Sequence, residues 1–155
     1  MRTIARTAFT PARGATLFSE IEHHIPLVLI DSSDAGPQLP ARFAYRRSDP
    51  FAVKLSFPGF VGPGSGDLTW LFARELLDVG LLAPVGDGDI RVAPAGEGAV
   101  RLTLRSGTAE AVLEARRDAV VRFLRACRDC VRPGREDEAC DWEREWDALL
   151  GRELS

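Results

Sequence analysis

The chain has 155 residues, 45% hydrophobic and 28% charged, with a formal net charge of −3, the balance of an ordinary soluble globular domain. A chain of this length buries roughly 68–70% of the surface it exposes when unfolded, enough for a core without disulfide or metal staples. Twenty basic residues against 23 acidic ones exclude a polyanion binder driven by bulk charge and leave a local basic stripe as the electrostatic route to nucleic acid. All the basic residues but Lys54 are Arg, a skew that fits a GC-rich coding sequence. Three Cys, an odd number without framework spacing, suit a reducing cytoplasm. Neither an export signal nor a membrane span is expected: the first 14 residues have no apolar run, and the later stretch from Ile25 to Ile30 contains Pro26.

Residues 1–14 carry Arg2, Arg6 and Arg13 and are interrupted by Pro11 and Gly14. With no face to bury they read as a flexible basic arm, and a single domain is expected over residues 15–151. Leu17, Ile21 and Ile25 fall on one side of a period of two and Glu20, Glu22 and His24 on the other, a half-buried strand. Pro26 cannot donate to a ladder, which predicts a bulge or a sheet edge there before Leu27 to Ile30 continues. Asp31 to Pro40 reads as a polar loop. Phe43 and Tyr45 alternate with Arg42 and Arg46, Ser48, Asp49 and Pro50 turn the chain, and Phe51, Val53, Leu55 and Phe57 resume the alternation, which predicts a β-hairpin. Pro58 to Gly66 reads as a glycine-lined loop.

Leu68, Trp70 and Phe72 restart the strand period. Ala73, Leu76, Leu77 and Gly80 then take helical spacing in a short helix ended by Gly80 and followed by Pro84. Beyond a turn at Gly86 to Asp89, Ile90 and Val92 form a short strand, and Val100, Leu102 and Leu104 alternate with Arg101, Thr103 and Arg105. Ala109, Ala111, Leu113 and Ala115 fit a further strand or the start of the next helix, because Ala and Glu are weak strand formers. Val120, Leu124, Cys127 and Val131 share a helical face beside Phe123, opposite Arg122, Arg125, Arg128 and Arg132, and Pro133-Gly134 ends that helix. A terminal helix is expected from Asp141 to Leu150, docked by Trp142 and Trp146. The fold class is α+β and β-rich: mostly antiparallel sheets, a short helix after the first set of strands, then one long and one terminal helix after the second, a pseudo-twofold repeat of sheet and helix.

No constellation supplies catalysis. Cys127 and Cys130 are spaced as half a zinc site and Cys140 could add a third thiolate, but a fourth ligand is lacking nearby and the pair sits near a helix end, away from the amide dipoles that activate a redox pair. Core packing is the reading for Cys127. His23 and His24 point to opposite strand faces and cannot act together on one substrate. The Gly62 to Asp67 and Gly86 to Asp89 stretches lack the Lys-Ser/Thr of a phosphate loop and serve as turns. No cofactor, metal or catalytic residue is therefore assigned. The helical Arg stripe reads as a solvated face with the acidic C-terminal segment as its neighbour, and Trp142 and Trp146 as core or homo-oligomer contacts.

The run from Phe72 to Pro94, FARELLDVGLLAPVGDGDIRVAP, preceded by Tyr45 and by the string Asp49-Pro-Phe-Ala-Val53 and followed by Leu113-Glu-Ala115, resembles the SsgA-like family of sporulation and cell-division proteins from filamentous actinobacteria. The resemblance covers about residues 16–150. It implies a non-enzymatic regulator of sporulation-specific septation, cytoplasmic and recruited to the septum. Its implied partners are the tubulin-like division GTPase FtsZ, other SsgA-like proteins or septal cell-wall enzymes. It also implies a compact β-rich fold similar to Whirly-type nucleic-acid binders, assembled as homo-oligomers with the trimer favoured. It assigns no binding residue. The alternative function is single-stranded nucleic-acid binding, for which Arg42, Arg46 and Arg47 flank the aromatics Phe43 and Tyr45.

Overall fold

The computed structural model describes residues 3–4, 20–31, 34–61, 66–132 and 134–135. In chain order its elements are β1 (Thr3–Ile4), β2 (Glu20–His24), β3 (Leu27–Asp31), β4 (Asp34–Leu39), β5 (Arg42–Arg46), β6 (Asp49–Val61), β7 (Asp67–Ala73), α1 (Arg74–Gly80), β8 (Ile90–Pro94), β9 (Ala99–Ser106), β10 (Ala109–Arg116) and α2 (Arg117–Cys130). The strands form two five-stranded sheets, ordered β1-β2-β5-β6-β7 and β4-β3-β10-β9-β8. Every strand pairing is antiparallel. The expected β-rich α+β class, with mostly antiparallel sheets, a short helix and a long helix, is the one observed. The terminal helix expected from Asp141 lies outside the described residues.

Pro26 marks neither a bulge nor an edge within one strand. It is the corner at which the chain leaves the first sheet and enters the second, with Ile25 N donating to Ala41 O at 3.0 Å as the crossing begins. The bulge comes two residues later, between Val28 and Ile30. Asp31 to Pro40, expected as a loop, contains strand β4, the outer edge of the second sheet. Its described side chains are largely exposed on both faces, so no alternation announces it, and Pro37 is tolerated because an edge strand can spare a donor. Thr3 and Ile4, within the segment read as an arm, pair opposite His23 and Glu22 as β1.

The β5–β6 hairpin forms where the alternation places it, turning at Arg47-Ser48. Its register shifts between Tyr45 and Arg46, and Phe51, expected beside Val53 on the inner face, is exposed instead. Strand β6 continues to Val61, through part of the stretch read as a glycine-lined loop. Ala109–Arg116 resolves as strand, paired residue for residue with β9 across a turn at Gly107. The tight β9–β10 hairpin imposes the extended form on weak strand formers. Gly80 falls at the last residue of α1, but a left-handed stop is not the reason for the glycine, since its φ is not positive. A Cβ there would collide with the Cγ1 and Cβ of Val92 and lie 3.2 Å from the Val92 carbonyl carbon. The sequence needs Gly because α1 packs this closely on β8.

The two helices lie against both sheets. Helix α2 touches β2 of the first sheet and β9 and β10 of the second, while α1 touches β6, β7, β8 and α2. The buried face of α2 is Ala119, Val120, Phe123, Leu124, Cys127 and Cys130, as its apolar periodicity requires. These residues join Phe43, Tyr45, Leu55, Leu102 and Leu113 in one continuous core.

Candidate interaction surfaces

The two adjacent histidines separate as the strand period demands. His24 turns to the outer face of the first sheet, its Nε2 3.2 Å from Glu22 Oε1, and Arg42 Nε lies 3.2 Å from the same oxygen. Arg46 sits 3.8 Å from Glu20 beside them. Glu22 is itself buried at 6% exposed, so its two partners compensate a desolvated carboxylate, whereas the exposed Arg46–Glu20 pair adds little stability. His23 turns inward, 4% exposed, edge-on to Phe123 with ring centroids 5.3 Å apart. Its Nε2 has no hydrogen-bond partner.

Burial, and next to it the charge of Arg122, hold the His23 imidazole below its usual pKa. The folded state therefore takes up the His23 proton later than the unfolded chain as pH falls. Stability is fully present above the unfolded value near 6.5 and is lost as pH drops from there toward the lowered folded value. We expect the denaturant midpoint of the wild type to fall across that window, and His23→Leu to flatten this part of the profile. Parallel profiles for the two proteins would refute the assignment.

The aromatics flanked by Arg42, Arg46 and Arg47 are not a stacking platform. Phe43 and Tyr45 are buried, and the Tyr45 hydroxyl donates to Pro50 O at 3.0 Å while accepting from Arg74 Nη1 at 3.1 Å. The nucleic-acid reading loses the bases' seat. Arg74, a buried cation that the sequence pattern did not single out, also lies 3.9 Å from Asp78, and Asp78 accepts from Arg128, tying α1 to α2. Arg47 Nη1 donates to Cys130 O at 2.9 Å, so the β5–β6 turn satisfies a carbonyl at the C-terminus of α2. Arg47→Ala should cost about 1 kcal/mol in denaturant unfolding, the usual worth of such a bond. An unchanged midpoint would show the contact to be idle.

Cys127 and Cys130 occupy the last turn of α2, both buried. Burial pushes both thiols up in pKa, against the opposing pull of Arg74 on Cys127 and of Arg47 on Cys130. The thiolate that a metal or a redox partner requires is thus disfavoured at both. The third sulfur, Cys140, lies outside the described residues, as do Trp142, Trp146 and the acidic segment around them. On the solvent face of α2, Arg122 lies 3.6 Å from Asp118, and Arg128 is held by Asp78. The Gly86–Asp89 turn is geometric, as read: Gly86 has φ +109° and a Cβ there would strike Ile90 O. What the sequence did not reveal is its position, facing the edge of β7 across a groove that Leu68, Phe72 and Leu76 also line.

A sequence model described as "Streptomyces sporulation and cell division protein, SsgA" matches residues 39–136. This chain belongs to the SsgA family. Among its relatives, SsgB of Streptomyces coelicolor, a sporulation-specific cell division protein, is 38% identical over 133 residues, covering 83% of this chain and 93% of that one. SsgB of Kineococcus radiotolerans is 38% identical over 142 residues, 88% of this chain and 81% of that one. Two solved SsgA-family structures share the fold. One comes from work on SsgB mutations that correlate to longitudinal cell division during sporulation of Streptomyces coelicolor. It has a TM-score of 0.69 at 36% identity, covering 83% of this chain and 99% of that one. The other, an SsgA-like sporulation-specific cell division protein of Thermobifida fusca, has a TM-score of 0.70 at 32% identity, covering 84% and 95%. The SsgA-family match spans β5 to α2, which carry most of the core, with Ile21, Ile25 and Leu27 added from outside it. No helix among the described residues is long and apolar enough to cross a membrane.

Proposed function

We propose that this SsgA-family chain is a non-enzymatic regulator of sporulation-specific cell division, an oligomeric adaptor that works in the cytoplasm and is recruited to the division septum. The observation that carries the reading is the match to SsgB relatives along most of both chains. The buried, protonated state favoured for Cys127 and Cys130 and the internal engagement of His23, Tyr45 and Arg74 support it, because these five side chains are spent on the fold. Its partners are division proteins, with FtsZ and other SsgA-like chains the first to test, or septal cell-wall enzymes. A homotrimer is the assembly to look for.

Fluorescent tagging in sporulating hyphae is the direct test. Regularly spaced bands at nascent septa are expected, with division or cell-wall proteins enriched in pull-downs from the same cells. Diffuse fluorescence together with recovery of unrelated cytosolic proteins would reject the reading.

A further inference from the structure

Strand β7 forms one side of the first sheet. It pairs with β6 alone, from Ala52↔Ala73 to Phe57↔Leu68, and among the described residues no other backbone hydrogen bond reaches it. An antiparallel edge of seven residues points alternate N–H and C=O groups outward with no ladder partner. Stable proteins blunt such edges with Pro, Lys, bulges or inward charge. Between Leu68 and Ala73 this strand has none of these: Leu68, Trp70 and Phe72 alternate with Thr69, Leu71 and Ala73, and Leu71 is 72% exposed.

A groove of about 550 Å³ runs along this edge, walled by Gly86 to Asp89 and by Arg105 to Gly107, with Phe72 and Leu76 among its apolar lining. The wall is fixed in place. Arg105 N donates to Asp89 O at 2.8 Å, and Trp70 Nε1 donates to Arg105 O at 3.3 Å. Its charge is one-sided, because Arg105 is neutralised by Glu110 at 2.7 Å, whereas Asp87 and Asp89 have no side-chain partner among the described residues.

We propose that the open edge of β7 takes an extended segment of a partner protein as one more strand, a segment alternating apolar residues with Lys or Arg. Main-chain hydrogen bonds to β7 would hold it, apolar side chains would fall toward Phe72 and Leu76, and its cations would lie beside Asp87 and Asp89. This rests on the adaptor reading and adds to it the docking surface and the partner's chemistry.

The probes are a short capped peptide alternating Val and Arg, its Glu-for-Arg counterpart, and the Val/Arg peptide N-methylated along its centre so that neither edge can form a ladder. Binding to the full chain is titrated, and hydrogen exchange is followed at the β7 amides. The Val/Arg peptide should bind, slow exchange in β7, and weaken with added salt. It should lose about tenfold in affinity against the Asp87→Lys/Asp89→Lys variant, two rim charges reversed on an exposed turn. Equal binding by the Glu or N-methylated peptide, protection elsewhere than β7, or no binding would each overturn the proposal. So would β7 protection that rises with protein concentration alone alongside a sedimenting oligomer, which would give the edge to a second copy. Septal bands in hyphae with no peptide bound to β7 would sink this inference and spare the adaptor reading. Diffuse protein with an empty pull-down would sink the adaptor reading even if the peptide bound.

Discussion

Phe123→Ala is expected to destabilise the protein by about 3–5 kcal/mol, the cost of removing a buried aromatic ring whose surroundings cannot collapse to fill the space. Phe123 is fully buried, with His23 5.3 Å away and Phe43 5.7 Å away, centroid to centroid. The ring therefore fills the space between α2 and the first sheet, where β2 and β5 meet. Both strands are fixed by their ladders, so the hole would persist rather than close. With total stabilities near 5–15 kcal/mol, such a loss takes a large share of the whole and should lower the melting temperature by about 10 °C or more. Phe123→Leu, which keeps most of the volume, should cost no more than about 1.5 kcal/mol. Chemical denaturation of the three proteins decides it: a loss below about 1 kcal/mol for the alanine variant would mean that α2 is not clamped as described.

Gly80→Ala should also be strongly destabilising, although alanine is the better helix former by about 1 kcal/mol. The new methyl would be driven into Val92, which is buried in the core, and toward its backbone. A β-branched neighbour on a paired strand has few rotamers to escape into, so overpacking of about 1–3 kcal/mol or more outweighs the propensity gain. The contact can be isolated by a double-mutant cycle. Val92→Ala opens a cavity on its own and removes the Cγ1 clash while leaving the Cβ one, so Gly80→Ala should cost about 1 kcal/mol less in the Val92→Ala background than in the wild type and should remain destabilising there. Strict additivity of the two changes would show that α1 and β8 do not approach as closely as this.

Residues Val100 to Arg105 and Val120 to Cys130 were legible because their burial is decided by a period that any window of the sequence displays, although α2 stops at Cys130, with Val131 already extended, rather than at Pro133-Gly134. The β5–β6 hairpin was legible for the same reason, although its turn falls at Arg47-Ser48 rather than at Ser48 to Pro50, and Asp49 and Pro50 already belong to β6. Strand β4 was not: an edge exposed on both faces has no alternation, and its Gly36-Pro37 pair mimics a loop. Gly80 carried a correct position with the wrong cause, since a glycine needed for close approach looks the same in sequence as one needed for a left-handed cap. Among candidate functional residues, the sequence correctly separated His23 from His24 and placed Cys127 in the core. The alternative nucleic-acid reading fails at Phe43 and Tyr45, because arginines that flank two rings in sequence do not bring those rings to the surface, and both are buried. Arg74 went unnoticed because a buried arginine is identified by its partners, Tyr45 and Asp78, and these are 29 residues away and one helical turn away respectively.

What the sequence determined alone was the local grammar: the strand and helix periods, the turns, and a string from Phe72 to Pro94 specific enough to name a family. Those depend on interactions between near neighbours, which the order of residues states directly. The tertiary structure decided that the chain changes sheets at Pro26, that α1 rests on Val92, and that the Gly86–Asp89 turn stands across a groove from the edge of β7 that no other described strand pairs with. Each of these depends on which distant surfaces meet when apolar area is removed from water, and that is settled by the packing of the whole core rather than by any one segment.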